Sequence, residues 1–214
     1  MEQAKLLDRM RWGMNIAART IGAITHLYRP RSVDNPLHPT NRILRMHAAF
    51  MPRRGTIITG NGYGEALWRG LFDAAYTQAG DYLVQPDRTL FIASQQGLTE
   101  PLCVQTNRAI TISRAAPPGT LGAVPYGGMI AGNSMVLLEN WPASVLGISH
   151  NGRPTAGLPN DVSAAFWTVL MPAWDGIRLQ TGDLYTDDLG RSAIIVSSEL
   201  TDMGWRLTAK QATT

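Results

Sequence analysis

The sequence contains a single cysteine, Cys103, among its 214 residues. One thiol cannot form an intrachain disulfide or a zinc site built from several cysteines. Cys103 lies in the apolar run Leu102-Cys103-Val104, where a cysteine normally behaves as a small buried side chain. We therefore predict a fold that is stabilised by an apolar core, without covalent cross-links.

Charged residues are also scarce, at 16% of the chain against about 25% in an average soluble domain. Apolar residues make up 44%, which is typical of a globular protein. The shortage of charge predicts that part of the surface is covered by partners. The alternative is a compact β domain with a Ser/Thr/Asn-rich surface.

Long apolar runs are absent, since no stretch approaches 18 uninterrupted apolar residues. The first ten residues, MEQAKLLDRM, lack the charged-then-apolar pattern of a signal peptide. We expect no membrane partner, and we expect synthesis and assembly in a bacterial cytoplasm.

Motifs of catalysis and metal binding are missing as well. The four histidines show neither HExxH nor zinc-finger spacing. Residues 149–152 (Ser-His-Asn-Gly) lack a nucleophile-elbow context and are typical of a turn. Residues 183–188 carry three aspartates without the EF-hand pattern, and residues 60–64 lack the Lys and Ser/Thr of a P-loop. We predict no catalytic residue, no cofactor and no metal site.

The charge that is present is unevenly distributed. Residues 1–60 hold ten basic and three acidic residues, a net charge of +7, whereas residues 61–214 carry −4. Of the 19 basic residues 17 are arginine, which suits interface pairing. A basic front docking on a neighbour's acidic body is favoured over nucleic-acid binding, because basic clusters with interleaved aromatics are lacking.

The front of the chain divides into two segments. Residues 1–28 form the predicted N-terminal helix, because apolar residues recur there at three- and four-residue intervals. They are Leu6, Leu7, Met10, Met14, Ala17, Ala18, Ile21 and Ile24. The helix needs a surface to lie on, since Gly13 and Gly22 weaken it as an isolated element.

Residues 29–60 are predicted to be a long extended arm, because four prolines interrupt any helix there. We expect this arm to pack on an adjacent subunit. Its predicted interface residues are Arg29, Arg31, Pro36, His38, Pro39, Arg42, Arg45, Arg53 and Arg54.

The rest of the chain is typical of β structure, with β modules at 61–114 and 134–214 and a Gly/Pro-rich linker or loop at 115–133. One pattern occurs twice: Gly80-Asp81, a strand, a turn ending in arginine and a second strand return at Gly182-Asp183. The predicted fold class is mainly β, with small barrel or sandwich modules, an N-terminal α-helix and a long extended arm. Whether the modules form one barrel or two stays open.

Three segments carry a resemblance to a known class of proteins. They are LFDAAYTQAGDYLVQPDRTLFIASQQ, ENWPASVLG and TGDLYTDDLGRSAIIVSSELTDMGWRLTAKQ. Together they resemble uncharacterised structural (virion) proteins of tailed phages and prophages of proteobacteria. The last segment also resembles, more loosely, the β-barrels of head-to-tail connector and stopper proteins.

The resemblance implies a non-enzymatic virion protein that forms a homo-oligomeric ring at the neck or in the tail. Its partners would be copies of itself and neighbouring portal, adaptor or tail proteins. Two alternatives are a nucleic-acid-binding module that uses the basic front on passing DNA, and a virion-associated hydrolase. The hydrolase needs a carboxylate pair or a Cys/His site, and no such spacing is present in the sequence.

Overall fold

The computed structural model describes residues 2–52, 66–97, 99–115, 134–147 and 165–211. This described part contains one α-helix, one 3-10 turn and twelve strands. Helix α1 spans Glu2–Ile21 and the 3-10 turn spans Pro39–Asn41. The strands are β1 Ala23–Tyr28, β2 Arg42–Pro52, β3 Leu67–Leu71, β4 Tyr82–Val84, β5 Thr89–Ser94, β6 Leu102–Thr106, β7 Arg108–Ala115, β8 Ser134–Gly147, β9 Phe166–Met171, β10 Leu184–Asp187, β11 Ser192–Thr201 and β12 Gly204–Gln211.

The strands form two closed, fully antiparallel barrels. Strands β1 to β6 make barrel 1 and strands β7 to β12 make barrel 2. The predicted fold class, mainly β with small barrels and an N-terminal helix, is confirmed. The open choice between one barrel and two is decided in favour of two.

The two barrels share one strand order. In each, the first three strands follow one another, the sixth pairs with the third, and the fourth closes on the first. Both also shift register at the same place of the fifth strand, between Ile92 and Ser94 and between Ile195 and Ser197. The repeated Gly-Asp pattern in the sequence therefore belongs to a complete six-stranded repeat.

Alternating side chains explain why these segments form strands. In β9, Trp167, Val169 and Met171 are buried while the residues between them are half-buried. The buried residues of such alternating strands form the apolar interior of each barrel. That of barrel 1 contains Leu27, Ala48, Phe50, Phe72, Leu83, Leu90, Ile92 and Cys103.

A buried ion pair fixes the connection that leads into β4 in barrel 1. Arg29, which follows β1, donates from Nε and Nη2 to the two carboxylate oxygens of Asp81, each at 2.8 Å. Its Nη2 also donates to the Tyr76 carbonyl, and the Asp81 carboxylate accepts from the Gln78 backbone N–H at 2.9 Å. Gly80 makes the turn with φ of +92°. The first and fourth strands are thereby held together where the barrel closes.

Barrel 2 repeats this arrangement atom for atom. Arg114 donates to Asp183 at 2.7 and 2.9 Å, and its Nη2 also donates to the Arg178 carbonyl at 2.8 Å. Asp183 again accepts from the backbone N–H three residues earlier, at Gln180, and Gly182 has φ of +95°. The Gly-Asp pattern is thus the sequence signature of an Arg–Asp clip, the name used below for each of these two ion pairs.

Both barrels also share a contact between the turn that joins the fourth and fifth strands and a tryptophan of the third strand. The Arg88 guanidinium lies 5.4 Å from the ring centroid of Trp68, and that of Arg191 lies 5.0 Å from the ring centroid of Trp167. Such cation–π contacts tie each arginine-ended turn to the third strand of its barrel.

The front of the chain differs from the predicted segments. Helix α1 ends at Ile21 instead of residue 28, and residues 23–28 form β1 with Thr25 and Leu27 facing inward. Residues 42–52 of the predicted arm form β2, the second strand of barrel 1. The cause is an alternation of inward apolar residues with exposed Arg and His residues, which the prolines at both sides obscured. The predicted linker after Ala115 lies outside the described residues.

Helix α1 lies on barrel 1, as its amphipathic pattern requires. Ala18 is fully buried, and Asn15 donates to the Asp73 carboxylate at 3.0 Å. Packing is close at the β5–β6 hairpin, where a Cβ added to Gly97 would lie 3.2 Å from a Leu7 methyl carbon. The helix therefore covers one end of the barrel.

Substituting the clip glycines tests this account of the turns. In Gly80→Ala and Gly182→Ala the new Cβ meets no atom within 4 Å, but the positive φ disfavours alanine. We expect each variant to lose about 1–2 kcal/mol of unfolding free energy in urea titrations. The control is Gly147→Ala, also in open space but without positive φ, which should change stability by less than about 0.5 kcal/mol. Equal effects at all three glycines would contradict the account.

Candidate subunit-contact surfaces

The two barrels are joined by a buried aromatic seam. Tyr82 of barrel 1 points outward and donates its hydroxyl to the Pro142 carbonyl of barrel 2 at 2.9 Å. Its ring packs edge-on against Trp141 at 6.4 Å and against Phe91 at 6.1 Å. Burial raises the pKa of Tyr82 well above its ordinary value, so the hydroxyl stays protonated and able to donate. This contact fixes one barrel against the other.

A single residue, Asn107, connects β6 of barrel 1 to β7 of barrel 2. Its side chain donates to the Val145 carbonyl at 2.9 Å and accepts from the Val145 N–H at 2.8 Å. Its own N–H donates to the Ala143 carbonyl at 3.0 Å. All three of these hydrogen bonds join Asn107 to β8. The connection between the barrels is therefore short and held in place.

The first part of the predicted arm packs on its own chain. The Val33 carbonyl accepts from the Trp141 indole at 2.7 Å and from the Glu139 N–H at 2.9 Å. Leu37 packs against the apolar cluster that joins the interior of barrel 2 to Tyr82 and Phe91 of barrel 1, and Pro36 is buried. Residues 29–41 therefore bridge the two barrels. Whether the segment also touches a neighbouring subunit stays a prediction.

The predicted interface residues separate into two groups. Arg29 belongs to a clip, and its hydrogen bonds to Asp81 raise the pKa of Arg29 above its ordinary value. Arg29 and the buried Pro36 thus have roles inside the chain. The exposed members are Arg31, His38, Pro39, Arg42 and Arg45, while Arg53 and Arg54 lie outside the described residues.

Two of the exposed arginines share the outer face of β1 and β2 with a histidine. His26 pairs with Arg45 across the strands, and the Nδ1 atom of His26 is buried without a hydrogen-bond partner. Burial, followed by the charges of Arg42 and Arg45, lowers the pKa of His26 below its ordinary value. The positive charge of this face therefore comes from arginine.

The aspartates that suggested a cation site are bound to arginines. Asp183 belongs to the barrel 2 clip, and Asp187 accepts from Arg191 Nε at 2.7 Å. Burial by itself would raise the pKa of Asp187, but hydrogen bonds from the Arg191 side chain and backbone outweigh it and lower that pKa. Tyr185 donates to the same carboxylate at 3.1 Å, and burial with the Asp187 charge raises the pKa of Tyr185.

Exposed apolar side chains mark two further surfaces. On α1, Trp12 is 68% exposed and Ile16 is 44% exposed. At the β11–β12 hairpin, Leu200 is 55% exposed and Met203 is 44% exposed. Sequence reasoning missed all four, although the spacing of Trp12 and Ile16 places them on one helix face, opposite Leu7, Met14 and Ala18.

Nowhere in the described ranges do three or more His, Cys, Asp or Glu side chains come together to hold a metal ion. Within the same ranges no helix is long and apolar enough to span a membrane. Cys103 is fully buried, and burial raises the pKa of its thiol.

Comparisons with protein-family models, with curated proteins and with solved structures find no match to this chain. The structure by itself defines the class: a mainly β protein of two six-stranded barrels with one repeated topology, preceded by a helix.

The seam between the barrels is tested by Tyr82→Phe. The substitution leaves the buried Pro142 carbonyl without its donor, so we expect a loss of about 1–2 kcal/mol of unfolding free energy. Tyr76→Phe is the control, because Tyr76 is 60% exposed and its change should cost less than about 0.5 kcal/mol. Urea and thermal unfolding of the parent chain and the two variants measure these losses. Equally small losses in Tyr82→Phe and Tyr76→Phe would show that the hydrogen bond does not contribute to stability.

The lowered pKa of Asp187 predicts a pH dependence. Its contribution to stability is fully present above the unfolded pKa of about 3.9 and is lost as pH falls through the lower folded value. Asp187→Asn should therefore lose about 1–2 kcal/mol at neutral pH and show a smaller further loss below about pH 4 than the parent chain. Asp188→Asn is the control at neutral pH, since this exposed carboxylate makes only a 3.9 Å ion pair. Parallel pH profiles for the parent and Asp187→Asn would contradict the assignment.

Proposed function

We propose that this chain is a structural subunit of a tailed-phage virion, which forms a homo-oligomeric ring in the head-to-tail connector, the neck or the tail. The observation that carries the proposal is the placement of the exposed large apolar side chains. They include one set on the front (Leu6, Trp12, Ile16, Ile21, Ile24, Ile43, Met51) and another on β8, β11 and the β11–β12 hairpin of barrel 2 (Met135, Val136, Val196, Leu200, Met203). Apolar patches on two different elements of one subunit suit contacts between neighbours in a ring.

Charge supports the same arrangement. Among the exposed described residues, the front carries more basic than acidic side chains and barrel 2 carries more acidic than basic ones. Neighbours that meet front to body would therefore bring opposite net charges together. The basic set is Lys5, Arg9, Arg19, Arg31, Arg42 and Arg45, and the acidic set is Glu139, Asp175, Asp188, Glu199 and Asp202.

The three segments that resemble virion proteins form central elements of the two barrels. Its three segments fall on the connection and strands from β3 to β5, on the β8 half that meets barrel 1, and on β10 to β12. These elements include both Arg–Asp clip carboxylates and the interbarrel seam, so the similarity concerns the framework of the repeat.

Native mass spectrometry of the purified chain tests the ring. We expect a discrete higher oligomer, because the subunit carries two different contact surfaces. Quantitative mass spectrometry of assembled particles from a phage that encodes the chain should find it in a fixed multiple per particle. A monomer that is absent from heads, tails and complete particles would refute the proposed function.

Nucleic-acid binding is the second candidate, and the observation in its favour is the exposed Arg42 and Arg45 pair on the outer face of barrel 1. Phosphate contacts made by such arginines would weaken steeply as salt rises. We expect fluorescence anisotropy with duplex and single-stranded DNA to show no binding of that kind. Tight, strongly salt-dependent binding that is lost in Arg42→Gln/Arg45→Gln would favour the alternative.

A further inference from the structure

Barrel 2 has an open groove of about 590 Å³ at one end. It lies between the connection from β9 to β10 and the β11–β12 hairpin. The side chains that matter here are Trp174, Asp175, Ile177, Arg178, Leu200 and Trp205. We call it the barrel 2 groove.

The corresponding place in barrel 1 is occupied by a helix. There too the site lies between the connection from the third to the fourth strand, here at Ala74, and the hairpin of the last two strands. Met10 and Met14 of α1 line this site, and only about 130 Å³ of space is left between helix and barrel. The same repeat therefore holds an amphipathic helix at one copy of this position and leaves the other open.

Helix α1 also carries a second apolar strip. Trp12 and Ile16 lie on the face turned away from barrel 1, and both are exposed. Lys5, Arg9 and Arg19 are exposed on the same face. A helix with apolar residues on two opposite sides normally packs against two surfaces.

We propose that the outer face of α1 from one copy of this chain docks in the barrel 2 groove of a second copy. The contact rests on the proposed function, because it supplies the interface from which a ring is built. Each copy has one α1 face and one groove, so the contact is heterologous and repeats from subunit to subunit until it closes. Trp12 would meet the apolar side chains of Trp174, Ile177 and Leu200.

Charge favours this occupant over an apolar helix of neutral or acidic character. Asp175 in the groove and Asp202 at the adjoining hairpin have no ion-pair partner within the described residues. The groove also contains the positive charge of Arg178, whereas the charge of Arg114 is neutralised by Asp183 in the clip. The exposed Glu2 and Asp8 flank the outer face of α1, and its three basic residues leave that face net positive. It therefore meets a groove whose unpaired charge is net negative.

Cysteine cross-linking of full-length chains tests the pairing directly. Trp12→Cys and Leu200→Cys are made separately, and both positions are exposed, so the fold should tolerate them. Because each change also removes a contact side chain, the two variants are mixed well above the concentration at which the parent chain associates. Cys103 is fully buried and does not compete for oxidation. Under mild oxidation we expect covalent dimers when the two variants are mixed and little dimer from either alone. The matched control is Leu189→Cys, 58% exposed at another hairpin of barrel 2, which should not cross-link to Trp12→Cys.

Sedimentation velocity of alanine variants gives an independent measurement. We expect Trp12→Ala and Leu200→Ala each to weaken self-association at least about tenfold, and Leu189→Ala to leave it unchanged. Thermal unfolding checks that all three variants remain folded. Unchanged self-association in Trp12→Ala, or dimers formed by Trp12→Cys alone, would overturn the contact. A parent chain that is monomeric at every concentration would overturn it as well.

The two proposals fail separately. If the chain is present in particles at a fixed copy number but the Trp12–Leu200 cross-link does not form, the contact is wrong and the virion role stands. If the chain is neither oligomeric nor part of any particle, both proposals are wrong.

Discussion

A buried carboxylate opposite a guanidinium holds each barrel closed. The side chains of Asp81 and Asp183 are 0% and 2% exposed, and an isolated charge at such a depth would be strongly destabilising. Each is matched by an arginine at the end of the first strand of its barrel: Arg29 directly after β1, or Arg114 in the last two residues of β7. Because the aspartate precedes the fourth strand, the pair ties together the two strands whose pairing completes the ring of hydrogen bonds.

The two barrels share one repeated fold but differ in which of their outer surfaces are covered by the rest of the chain. The outward residues Tyr82 and Phe91 of barrel 1 are buried in the seam, whereas Leu184 and Ile194 at the same register in barrel 2 are half-buried. The helix-covered end of barrel 1 likewise corresponds to an open groove in barrel 2. A surface that is satisfied inside the chain in one repeat is thus available for a partner in the other, which is the basis of the proposed ring contact.

In the proposed assembly the buried polar groups and the exposed side chains have separate roles. Within the described residues the buried titratable groups serve the framework: Asp81, Asp183 and Asp187 bind arginines, and Tyr82 joins the barrels. The exposed arginines and apolar side chains are the groups left for other molecules. In the proposed ring, their separation into a net basic front and a net acidic second barrel would give neighbouring subunits a direction in which to meet.

By itself the sequence determined the fold class, the N-terminal helix and the repeated Gly-Asp turn. These depend on local periodicity and on backbone requirements that a residue carries with it, such as the positive φ of Gly80 and Gly182. The tertiary structure decided that residues 42–52 belong to a barrel and that Trp12 faces outward. It also decided that residues 173–178 meet the hairpin at Leu200 and Trp205. The groove exists only after barrel closure brings together segments more than twenty residues apart, so no local pattern could have predicted it.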